Sequence, residues 1–325
     1  MNSSLRIRFV LLALTLAAFQ PAFSQSASKT NAPRVALALD ELFFSPRVHA
    51  PAGGVGKPAP DPVAMGRAKA KVYKFSTADY PGAAFSMVFG SNGSTGVGTF
   101  ADVSARTAFT VERNVYRILA VPGSTLSAAT TINTAGVIGG TYEDPTTALH
   151  GFVDNAGTFT TIDFPGGVDT EVNGINDAGV IVGDYADATA THGFVDNSGV
   201  FTTIDFPGSL GTAATGINST GDIVGNWRDA TNGHSFLLSG GVFTSLDFPL
   251  ATLTFASGIN DSGDIVGFYY DAAGPFHGFV YSHGAWNKVD VAGATNTQLR
   301  GITNRGAVSG AADDDHGERH GITGR

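Results

Sequence analysis

The sequence contains no cysteine, which excludes a disulfide framework, a thiol nucleophile and a thiolate metal site. Charge is scarce as well. Of 325 residues 14% are charged, and 19 Lys and Arg against 28 Asp and Glu leave a net charge of −9. A nucleic-acid binder needs a basic footprint, so DNA and RNA are not expected partners. There is no Gly-x-Ser-x-Gly elbow, no Gly-Lys-Ser/Thr phosphate loop and no His-Glu-x-x-His, so the common nucleophile, nucleotide and zinc-protease signatures are missing. No amphipathic helical window stands out. What is abundant is glycine, 43 residues, close to twice the ordinary share. With 42% hydrophobic residues the chain has enough apolar surface for a core.

Arg6 and Arg8 precede an apolar run from Phe9 to Phe19, followed by Ala22-Phe23-Ser24, a small-x-small cleavage pattern. The run is 11 residues, against the about 20 needed to span a bilayer. Residues 1–24 therefore read as a signal peptide, and no membrane span is expected after cleavage. Its removal takes away two arginines and no acid, so −9 becomes −11. Residues 25–70, with Pro51, Pro58, Pro60 and Pro62 among Gly53, Gly54 and Gly56, read as a flexible Pro/Gly-rich leader.

From residue 71 to 325 the chain repeats itself. The segment Phe159 to Gly166 returns at Phe201, Phe243 and Trp286, and upstream at Tyr116 and Phe75, with starts 41 to 43 residues apart. A second element, Gly174 to Gly183, recurs at Gly216, Gly258 and Gly301, with weaker versions at Thr131 and Gly90. A third, His192-Gly193-Phe194, is matched at His150, His234, His277, His320 and, degenerately, Thr107. Asn, Asp and Gly turns separate short β-branched or aromatic runs, and three turns per unit imply four strands. A four-stranded unit of about 42 residues fits the blade of a β-propeller. The expected fold is all-β, a six-bladed propeller closed by the segment Val72 to Tyr80 pairing beside the strand near His320. An open β-solenoid is the alternative, and it would not need that pairing.

The run Gly-Ile-Asn-Asp-x-Gly-x-Ile-Val-Gly, then His-Gly-Phe, then Phe-Thr-Thr-Ile-Asp-Phe-Pro-Gly resembles the HAF family of extracellular repeats over about residues 72 to 325. The resemblance implies a secreted bacterial protein and hands over no catalytic residues.

Five histidines sit at the repeated position, each five or six residues after an aspartate. The pairs are Asp144 with His150, Asp187 with His192, Asp229 with His234, Asp271 with His277, and Asp314 with His320. A ring of imidazoles could bind metal, but a residue repeated in every unit reports packing before chemistry, so these pairs read as structural locks and no metal site is expected. Asp79, Asp163, Asp205, Asp247 and Asp290 repeat too, broken at Ala120, and read as solvated strand-end residues. Unique function should lie where the repeat is broken. The loops before the third element carry Trp227, Arg228, Tyr269, Tyr270, Phe276, Asp313, Asp315 and His316, a mixture of rings and polar groups that suits sugars. The expected function is a secreted or periplasmic, non-enzymatic binding module. It would need no cofactor, act as a monomer, and engage a glycan or a cell-envelope protein. The alternative is a propeller-type polysaccharide hydrolase or lyase, which would need carboxylate, His and Arg gathered in the channel.

Overall fold

In the computed structural model residues 72–102, 105–271 and 274–325 are described. The signal peptide and leader read in residues 1–24 and 25–70 lie outside them. The β-branched and aromatic runs form 24 strands, and no helix occurs among the described residues. Each repeat is an antiparallel meander. In the most regular one, Asp169–Ile175 pairs with Ile181–Ala186, that with Thr191–Asn197, and that with Val200–Ile204. Four sheets have four strands. A fifth has eight, two such meanders joined through one parallel bridge of Gly233 with Leu253. The molecule is a β-propeller.

The ring is closed by the N-terminal strand. Phe75–Thr77 pairs antiparallel with Arg319–Gly324, supplying the fourth strand to a sheet whose other members come from the chain's end. Lys74 and Arg325 exchange both backbone hydrogen bonds, at 3.0 and 3.2 Å.

The first strand of each meander lies innermost. These strands are Phe85–Ser91, Leu126–Ile132, Asp169–Ile175, Gly211–Ile217, Leu253–Ile259 and Asn296–Ile302. Every one carries a β-bulge at its fifth residue. The bulge explains the glycine that ends Ile-Val-Gly. A Cβ on Gly183 would lie 1.9 Å from the Glu171 carbonyl oxygen and 2.8 Å from the Phe194 ring, and the equivalent glycines are as tight. The ring that needs this space is the phenylalanine of His-Gly-Phe. Phe109, Phe152, Phe194, Phe236 and Phe279 are all fully buried, and Ile322 takes the place in the last copy.

At one end of the ring the Asn-Asp-x-Gly turns interlock. The side-chain amides of Asn92, Asn133, Asn176, Asn218 and Asn260 each donate to the backbone carbonyl of the equivalent turn in the next unit, at 3.1 to 3.4 Å. At this end the residue types barely change from unit to unit, because each turn is held by its neighbour.

Candidate functional site

The opposite mouth carries the His-Gly-Phe strands and the variable hairpin loops. Each repeated histidine there lies between two carboxylates. His192 Nδ1 is 2.8 Å from Asp205 and its Nε2 3.4 Å from Asp187. The same holds for His150 with Asp163 and Asp144, His234 with Asp247 and Asp229, His277 with Asp290 and Asp271, and His320 with Asp79 and Asp314. The hairpin aspartate has a second task. Asp187 Oδ1 accepts from the Thr189 hydroxyl and N–H and from Ala190 N–H, and these bonds hold its carboxyl down at about 2. Burial pushes Asp229 up, yet hydrogen bonds from Asn232 and Thr231 outweigh it and bring it to about 2. The bond to Asp247 raises His234 against the opposing effect of burial, and Asp79 raises His320 in the same way. In the last copy Asp314 brings ligand atoms within 4.8 Å of Glu318 and His320, and of Asp315 and His316. Among the described residues these are the groups that could hold a metal ion.

The eight loop candidates do not form one cluster. Trp227 and Tyr269 occupy a repeated strand position. Trp227 stacks between Phe206 at 4.1 Å and His234 at 4.4 Å, and Tyr269 between Phe248 at 3.7 Å and His277 at 5.3 Å. Tyr142 and Tyr185 stack on their own histidines in the same manner. Arg228 lies at a strand end, half-buried, and the exposed Asp315 Oδ1 and His316 Nδ1 are 2.8 Å apart. Tyr270, Phe276 and Asp313 are drawn together. The Tyr270 and Phe276 rings are 5.4 Å apart across their strands. Phe276 N–H donates to Asn296 Oδ1 at 2.8 Å, Asn296 donates to Asp313 at 3.0 Å, and Arg319 clamps Asp313 with Nε at 2.7 Å and Nη2 at 3.1 Å. Two rings, an amide and an acid-base pair thus form one continuous row at the mouth.

Below the mouth, the six bulge residues converge on the axis. Phe89, Thr130, Asn173, Thr215, Ser257 and Arg300, with Phe255, line a cavity of about 30 Å³. Bulges re-aim a side chain away from the ladder, and here they aim one from every inner strand into the channel. Arg300 is buried, donates to Gln298 Oε1 at 2.7 Å, and lies 4.7 Å from the Phe268 ring centre and 5.7 Å from that of Phe255. Across the ring, Asn173 donates to Asp184 at 2.7 Å and to the Ala214 carbonyl at 3.1 Å. Asp184 is paired in the ladder with Glu171. Burial and repulsion from Asp184 and Asp169 push the Glu171 carboxyl well up, and burial raises Asp184 to about 7 against the lowering bond from Asn173.

The relatives share a fold and little sequence. TolB from Acinetobacter baumannii aligns with 72% of this chain at 8% identity and a TM-score of 0.54, and the match spans 64% of that chain, less than two thirds. AofleA from Arthrobotrys oligospora aligns over 78% of this chain and 87% of its own at 13% identity and a TM-score of 0.52. A fungal lectin from Aleuria aurantia, described as a six-bladed β-propeller with a fucose recognition mode, aligns over 76% of this chain and 93% of its own at 12% identity and a TM-score of 0.48. No protein-family model matches the chain, and no curated protein sequence does.

Two groups escape the sequence reading. The aspartate after Phe-Thr-Thr-Ile is a histidine partner, and the signal for this is a constant separation of 13 residues from His150 to Asp163, His192 to Asp205, His234 to Asp247 and His277 to Asp290. The same spacing joins Thr107 to Ala120, so both partners are lost together in one copy. The channel residues have no such signal, because Phe89, Asn173 and Arg300 break the small-hydroxyl pattern of Thr130, Thr215 and Ser257 at the bulge position.

Proposed function

We propose that the chain is an exported, non-enzymatic propeller of six blades that binds a glycan at the mouth opposite the asparagine belt. The count of six takes the eight-stranded sheet as two blades, joined only by the Gly233–Leu253 bridge. Its repeats are of the HAF type, its address is the periplasm or the medium, and it works as a monomer. The observation that carries the reading is the row of Tyr270, Phe276, Asn296, Asp313 and Arg319. Tyr270 is 37% exposed and Phe276 lies beside it. Rings of this kind stack on the apolar faces of sugars, while the adjoining amide and acid-base pair take hydroxyls. The repeated histidines continue around this mouth, but these five side chains occur together in one unit only.

The test is a glycan array probed with the full chain and with the Tyr270→Ala and Phe276→Ala variants. Retention of a defined glycan class, weakened about tenfold or more in both variants with unchanged melting, supports the reading. Retention indifferent to both variants, or none at all, overturns it and moves the weight to an envelope-protein partner. The enzyme reading draws on a separate observation, the Glu171–Asp184 pair, whose carboxyls are raised and which is joined to the cavity-lining Asn173 through Asp184. Groups of that kind serve as general acids near neutral pH. No histidine is among the residues that line the cavity. Release of reducing or unsaturated ends from a retained polysaccharide would favour that reading over binding alone.

A further inference from the structure

The hairpin loop of the last unit departs from its equivalents in the kind of side chain it carries. Between the aspartate and the histidine of the other four pairs no His, Asp or Glu occurs, whereas Asp314 and His320 enclose Asp315, His316 and Glu318. The loop backbone does not call for them. The segment from Asp144 to His150 makes the same turn with Pro145, Thr146 and Ala148 at those places. Asp144 Oδ1 accepts the N–H groups of Thr146 at 2.8 Å and Ala148 at 3.0 Å, and Asp314 Oδ1 accepts those of His316 at 2.9 Å and Glu318 at 2.8 Å. Thr147 and Gly317 hold the left-handed position in the two loops, at φ +70° and +80°. The other oxygen, Asp314 Oδ2, stands 3.6 Å from His320 Nε2 and 3.7 Å from His316 Nδ1. Two ligands of one tetrahedral ion, bound at about 2.0–2.1 Å, lie about 3.3 Å apart, so a small adjustment brings each imidazole and the carboxylate onto a shared metal. Glu318 has a ligand atom within 4.8 Å of those of Asp314 and His320, and Asp315 one within 4.8 Å of those of Asp314 and His316. His320 also has the outer support typical of a metal-bound imidazole. Its Nδ1 is hydrogen-bonded to Asp79 at 2.9 Å, which leaves Nε2 as the ligating nitrogen.

We propose that this loop binds a divalent ion of the zinc class through Asp314, His320 and Glu318, with His316 and Asp315 completing the shell. Imidazole nitrogen beside carboxylate oxygen suits zinc and its first-row neighbours. Calcium takes six to eight oxygens and is not matched by this set. The repeated pair of the other units supplies one imidazole and one hairpin carboxylate without these additions, so the site belongs to the last unit alone. It reaches the seam of the ring as well, because Asp79 follows the closing strand Phe75–Thr77 and holds His320 from the far side. The proposal does not rest on the glycan reading.

The experiment is isothermal titration of the full chain with zinc, calcium and magnesium chlorides, with thermal melting followed in parallel. A single zinc ion per chain should bind at micromolar concentration, calcium and magnesium far more weakly, and zinc should raise the melting temperature. The double variant His316→Thr, Glu318→Ala carries the residues of the Asp144 loop at those positions, so its turn is one the fold already accepts. It should weaken zinc about tenfold or more and remove the rise in melting temperature. Tyr270→Ala should leave zinc binding unchanged, so failure of this site and failure of the glycan row are separately visible. Absence of zinc binding, calcium bound more tightly than zinc, or zinc binding indifferent to the double variant overturns the proposal. Several zinc ions per chain would overturn it too, since the repeated pair would then suffice.

Discussion

Each repeated imidazole is hydrogen-bonded through Nδ1 to one carboxylate and holds Nε2 3.4 to 3.9 Å from a second. Five copies of that arrangement stand around the mouth. Each links the hairpin loop, through Asp187 and its equivalents, to the segment that leads into the next unit, through Asp205 and its equivalents. His192→Ala should lower stability by about 1–3 kcal/mol, seen as a drop in the melting temperature of several degrees, with glycan retention intact. Unchanged melting with lost retention would make the histidine a ligand contact. The pairing of His192 with Asp187 was legible from their recurrence. The partnership with Asp205 was equally present in the spacing, but an aspartate beside Phe and Pro at a strand end looks solvated until the neighbouring strand is set against it. Trp227 and Tyr269 show the converse. Drift from tyrosine to tryptophan in one copy reads as a unique feature, whereas stacking accepts either ring.

At the level of the strand, the bulge decides both what is fixed and what is free. Its fixed part is the glycine opposite. Gly183→Ala would force a Cβ to within 1.9 Å of a carbonyl oxygen, and urea denaturation should show a loss of about 3 kcal/mol or more. Gly179→Ala, in a turn at φ +80° with open space around it, should cost about 1 kcal/mol. Similar losses for the two would mean that the inner strand shifts to make room. Four strands per repeat follow from turn spacing, and the closing role of the Phe75 segment is seen in its pairing with Arg319–Gly324. The direction of Asn173 or Arg300 does not follow, since alternation assigns faces only while the ladder stays regular, and a bulge interrupts it at that residue.

For the whole molecule the titrating groups pull in one direction above neutrality and another in acid. Asp187 and Asp229, at about 2 against an ordinary 3.8, contribute stability that is present above the ordinary value and lost as pH falls toward 2. His234 and His320 are raised, so their contribution is present below 6.5 and disappears as pH climbs through their folded values. Glu171 and Asp184 are raised as well, so their ionisation destabilises the fold as pH climbs above the ordinary carboxylate range, through about 7 for Asp184. The melting temperature should peak between about pH 4 and 6 and decline on both sides. Glu171→Gln should flatten the decline that begins above the ordinary carboxylate range, and a melting profile of the parent that stays level from about pH 4 to 7 would contradict the assignment.

The strand that closes the ring has a kinetic meaning too. Asp79 meets His320 across 241 residues of chain, and loop closure of that length must precede any reward from the contact. The neighbouring units can dock in order as they emerge, each on the one before it. The clasp can only be fastened last, and when the ring opens, the same seam offers the unpaired edge of Arg319–Gly324 to any passing strand.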